Sequence, residues 1–118
     1  MGLVVSRVEK ALHCSLAANQ MTNLVAIVSF WCACSHCTPR PVQPTAAGVV
    51  PQRYVTVAGP RAVPLGARVY IEGIGMRRVE DRTALRFDGR WDVYVGSDKS
   101  AHQRAKSLGV QIRTVTIK

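Results

Sequence analysis

Residues 63–94 read VPLGARVYIEGIGMRRVEDRTALRFDGRWDVY, a run of short apolar–polar alternations separated by glycine. Side chains on a strand point alternately to its two faces, so such alternation over four to eight residues predicts half-buried strands. Residues 68–72 and 76–81 form two of these, divided by Gly73 and Gly75, and residues 91–95 form a third. Pro64-Leu65-Gly66 marks a turn before them. The same run contains Asp81 and Asp92, eleven positions apart, with Asp88 between them. On the strand 91–95, Trp91, Val93 and Val95 share a core-facing side, while Asp92 and Tyr94 share the face of an outer groove.

Three more strands follow outside this run. Residues 24–31, LVAIVSFW, are β-branched and aromatic-rich and predict a buried strand; residues 54–58 and 110–118 alternate. Residues 98–108 predict one short helix, with Ser97 as N-cap, Ala101, Ala105 and Leu108 as its apolar stripe, and Gly109 as its stop. Residues 38–52 hold prolines at 39, 41, 44 and 51, and so predict a loop or extended arm. Near the start, Val4, Val8, Leu12 and Leu16 fit either a short helix or a loose extension. The expectation is an all-β domain over residues 23–118, a small six-stranded barrel with one helix, preceded by an irregular extension over residues 1–22.

With 118 residues, the chain can build one modest core. Sixteen basic against seven acidic residues give a net charge of +9, and twelve of the cations are arginine. Six of the seven acids fall within residues 72–98, an acidic cluster inside a basic chain. Such a surface favours anionic partners. A nucleic-acid role is not expected, because aromatics are too few to interleave with the basic residues as base-stacking platforms. No run approaches a transmembrane length, and neither apolar segment near the start has the flanks of a clear signal peptide.

Two carboxylates meeting in a groove can differ in proton affinity, since one ionised neighbour together with burial keeps the other protonated. That is the condition for a general acid at a glycosidic bond. Arg82, Arg86 and Arg90 would oppose it if they point inward. Pattern alone leaves catalysis and surface ion pairs both open.

The ordered set VPLGARVYIEGIG, VEDRTALRFDGRWDVYV and SLGVQIRTVTIK resembles the three-aspartate (3D) domain of bacterial and phage cell-wall proteins. That domain is related to the catalytic domain of membrane-bound lytic transglycosylase A. The resemblance covers roughly residues 24–118, including the spacing of the two aspartates, Arg90 two positions before the second, and Ala47-Gly48 at a Ser/Ala-Gly position. It implies a double-psi β-barrel that cleaves the MurNAc–GlcNAc bond of peptidoglycan without water, giving 1,6-anhydro products. By this resemblance Asp92 is the acid/base and Asp81 its helper, while Arg90, Tyr94 and Thr83 are the expected glycan contacts. Asp88 is not a family aspartate and is expected to cap the turn beside Gly89. The implied location is the cell envelope or outside the cell, including a role in phage lysis, and the implied state is a monomer that uses no cofactor.

Two departures favour an alternative, a non-catalytic glycan-binding barrel. The family's first aspartate aligns with Gly59, and a Gly-Gly pair after the second is replaced by Thr83-Ala84. The cysteines at 14, 32, 34 and 37 stay open between reduced thiols, a disulfide and a metal site. Cys32, Cys34, Cys37 and His36 offer four zinc donors, but one tight run suits tetrahedral coordination poorly, so no metal is expected. His13 and His102 read as isolated surface residues, and Trp31 and Trp91 as core.

Overall fold

The structure is a computed structural model that describes residues 22–34 and 44–118. The expected N-terminal helix, His13, Cys14, His36, Cys37 and residues 38–43 of the proline-rich arm lie outside the described residues. Six strands close into a barrel: β1 (Thr22–Trp31), β2 (Thr56–Gly59), β3 (Arg68–Ile71), β4 (Gly75–Arg82), β5 (Trp91–Tyr94) and β6 (Gln111–Ile117). One helix, α1 (Ala101–Leu108), lies between β5 and β6, and a 3₁₀ turn at Leu85–Phe87 joins β4 to β5. Around the barrel the order is β1-β5-β2-β4-β3-β6. β1 with β5 and β2 with β4 run parallel, and the remaining pairs are antiparallel. This closed, mixed, six-stranded barrel with one helix is the small double-psi architecture that the resemblance implies.

Alternation sets the interior. Ala26 and Val28 of β1, Val57 of β2, Val69 and Ile71 of β3, Val79 of β4, Trp91 and Val93 of β5, and Val115 and Ile117 of β6 form one buried cluster with Val63. Trp91 is completely buried there, as expected. Gly59 makes room for it, because a Cβ at position 59 would lie 3.0 Å from Trp91 Cζ3 and 3.2 Å from Val79 Cγ1. Closure leaves no sheet edge within the barrel wall, which removes the unpaired N–H and C=O rows of an open sheet.

Three expectations need correction here. The helix starts at Ala101 rather than after Ser97. Asp98 accepts the Ala101 N–H at its carbonyl and pairs with Arg104 through its carboxylate, so residues 97–100 form a turn. Val95 packs not in the barrel core but in a second cluster with Cys32 and Ala101, flanked by Phe30, Cys34 and Ala105. This second cluster seats α1 against the end of β1. The strand expected to begin at residue 54 begins at Thr56, since Tyr54 has φ +71° and cannot continue a strand.

Candidate functional site

The site is built on a row of residues crossing four adjacent strands. Ser29 of β1 pairs with Asp92 of β5, Asp92 with Ala58 of β2, and Ala58 with Asp81 of β4. β2 and β4 shift register between Val57 and Ala58: Val57 opposes Val79, but Ala58 opposes Asp81 rather than Glu80. A bulge of this kind re-aims side chains at barrel rims. It brings Asp81 onto the same face as Ala58 and Asp92. Neighbouring strands are about 4.8 Å apart, so the two aspartate backbones lie roughly 10 Å from each other across Ala58.

Ala58, Asp81 and Asp92 line a cavity of about 530 Å³. Its walls are Phe30, Trp31 and Cys32 at the end of β1, Arg82 at the end of β4 with Thr83 and Ala84 beyond it, and His102, Ala105 and Lys106 of α1. This volume is in the range of small-molecule sites. Trp31, expected in the core, is half-buried, forms part of this wall and lies against Tyr94 with ring centroids 4.5 Å apart.

Asp92 is half-buried, and burial pushes its carboxyl up to about 6 from the ordinary 3.8. The Ser29 hydroxyl, which donates to Asp92 Oδ1 at 3.1 Å, and the charge of Arg90 pull it down, while the negative charge of Asp81 pushes it up. Asp81 is held by backbone: its Oδ1 accepts from the Ala46 N–H at 3.1 Å and from the Arg82 N–H at 2.8 Å. The Ala47 N–H meanwhile donates to the Glu80 carbonyl, so the Ala47-Gly48 loop clips onto the end of β4. Among the described residues no arginine forms an ion pair with either carboxylate. Arg82 spends its guanidinium on the Pro60 and Val63 carbonyls at 2.7 and 2.6 Å, and Arg86 and Arg90 stack over the Phe87 ring.

Of the expected glycan contacts, Thr83 lines the cavity, buried, with its hydroxyl 3.4 Å from the Phe87 carbonyl. Tyr94 and Arg90 are not among the cavity walls. Tyr94 is buried behind Trp31, and Arg90 acts on Asp92 only through its charge. Asp88 does cap its turn, as the C-cap of Leu85–Phe87 whose N–H donates to the Leu85 carbonyl at 3.1 Å, and its carboxylate also accepts from the Arg61 N–H at 3.0 Å and pairs with the Arg61 guanidinium at 3.3 Å. His102 is not an isolated surface residue, because it is half-buried on the cavity wall beside Cys32. Gly59 faces Trp91 and Val79, so a carboxylate at that position would meet the core. The residue of β2 that faces the cleft is Ala58.

The site is therefore a carboxylate-bearing cleft on the outside of a closed mixed barrel. No protein-family model matches the chain, and no curated protein matches it. Among solved structures the chain is similar to MltA from E. coli, with a TM-score of 0.52 at 18% sequence identity. The match covers 66% of this chain and 28% of that one, so the chain spans little more than a quarter of the length of MltA. At that identity the likeness is one of fold.

Proposed function

We propose that this barrel is a lytic transglycosylase-like domain that cleaves the MurNAc–GlcNAc bond of peptidoglycan with Asp92 as acid/base. One observation carries the reading: Asp92 and Asp81 stand on a single cross-strand row at one cavity, with Asp92 holding its proton up to about pH 6. The barrel shared with MltA, a lytic transglycosylase, and the sequence resemblance to the same family support it.

In the proposed cycle the Asp92 carboxyl gives its proton to the glycosidic oxygen as the bond from that oxygen to the anomeric carbon breaks. Positive charge then develops at the anomeric carbon, and the fixed Asp81 carboxylate stabilises it electrostatically. Asp92, now ionised, takes the proton of the muramyl 6-hydroxyl while that oxygen bonds the anomeric carbon. The 1,6-anhydro ring closes, no water is consumed, and Asp92 returns to its starting form. Ser29 donates to Oδ1, which leaves Oδ2 to carry the proton. Trp31 offers an aromatic wall and Thr83 a hydroxyl to the sugar. Such a substrate places the domain in the cell envelope or outside the cell, or in phage lysis, acting as a monomer.

A second reading, glycan binding without cleavage, is favoured by Ala58, which leaves β2 without a carboxylate in the cleft. Incubation with purified sacculi separates the two. Cleavage predicts soluble muropeptides ending in 1,6-anhydro rings, lost in Asp92→Asn. Binding alone predicts co-sedimentation with sacculi and no soluble products. Neither outcome would leave the cleft without a glycan role.

A further inference from the structure

Cys32 and His102, on one wall of the cavity, belong with Cys34 to a cluster the proposed reaction does not use. Cys32 and Cys34 follow β1 directly, and His102 lies in the first turn of α1. One ligand atom from each, two sulfurs and an imidazole nitrogen, lie within 4.8 Å of one another, and the two sulfurs are 3.3 Å apart. Cys32 is buried and the other two are half-buried. The objection to zinc from sequence was that one tight run supplies every donor. The fold answers it by bringing the third donor from a separate element, about seventy residues along the chain.

We infer that Cys32, Cys34 and His102 form a zinc site that clamps α1 to the end of β1. With Zn–S bonds of about 2.3 Å and a Zn–N bond of about 2.0 Å, donors of a tetrahedral site sit roughly 3.5–3.8 Å apart. The cluster approaches that spacing, so changes of up to about 1.3 Å in donor separation complete it. Two thiolates and one imidazole are a soft, borderline donor set that selects zinc over magnesium or calcium. On binding, the two thiols release their protons to solvent and both sulfurs bond the ion as thiolates, with the neutral imidazole as third donor. The site has a mechanical use as well. α1 is only eight residues long and buries Ala101 alone, so its own packing holds it weakly. Fixing it fixes the cavity wall formed by His102, Ala105 and Lys106. This inference does not depend on the proposed reaction.

The test uses the full chain, purified reduced, and titrated with Co²⁺ and then Zn²⁺ against a chromophoric chelator. The expected result is one equivalent of Co²⁺ with intense thiolate-to-cobalt absorption, bleached by Zn²⁺. Cys34→Ser and His102→Ala should each weaken zinc binding about a hundredfold or more, at or beyond the upper end of losses from an outer-shell partner. His102→Cys should retain it. Circular dichroism checks that each variant folds, and the wild-type cobalt spectrum stands on its own should one fail. No stoichiometric uptake, an affinity unchanged in His102→Ala, or a Cys32–Cys34 disulfide in protein purified without oxidant would overturn the inference.

Discussion

In the proposed reaction Asp92 would carry the chemistry, because it is half-buried without an arginine partner among the described residues. Its protonated form is the acid, so activity should fall as pH rises through about 6, as an initial-rate profile on sacculi would show. Asp81→Asn removes a negative charge that raises the Asp92 pKa, and so should move that alkaline limb to lower pH as well as slow the reaction. Stability carries the same signature. Between pH 3.8 and about 6 the folded chain keeps a proton that the unfolded chain has lost, so the carboxyl costs stability progressively as pH rises through that window. Asp92→Asn should therefore be more stable than the parent above pH 6, by roughly 1–3 kcal/mol, with the gain shrinking towards pH 4. Urea unfolding at the two pH values measures it, and equal midpoint shifts at both would contradict the burial argument.

At the scale of strands and helices, the bulge between β2 and β4 decides the site. Strict alternation would keep Asp81 on the inner side with Val79, and only the shifted register opposes it to Ala58. Nothing in residues 54–59 or 76–82 announces that shift, because a bulge is a property of pairing and not of one strand's sequence. The six strands and the helix were legible because alternation and glycine punctuation are local signals. Two contacts were not legible. The approach of His102 to the cysteines depends on how α1 packs, and the use of Gly59 as space for Trp91 depends on barrel closure. Gly59→Ala should destabilise the barrel by about 1–3 kcal/mol, the usual cost of overpacking. Ala58→Leu, one position earlier, fills the floor of the cleft and should reduce glycan cleavage at least about tenfold, with KM more affected than the fold. Thermal melts of both variants beside kinetics of the second check the alternating roles of these two neighbours.

Across the whole molecule, a net charge of +9 surrounds a cleft whose own floor is acidic. Under the proposed function, the cations would gather an anionic polymer at the surface while the carboxylates act on one bond within it. Attraction of this kind is screened over about 8 Å at physiological ionic strength. Co-sedimentation with sacculi should accordingly weaken steeply as salt rises, while the product type stays the same. No helix among the described residues is long and apolar enough to cross a membrane. The barrel provides rigidity, the loop carrying Ala46 fixes one carboxylate, and the β1 wall with α1 frames the other. The most direct measurement is mass spectrometry of muropeptides released in ¹⁸O-labelled water. Asp92-dependent fragments ending in unlabelled 1,6-anhydro rings are the predicted result; labelled reducing ends, or fragments that persist unchanged with Asp92→Asn, would contradict it.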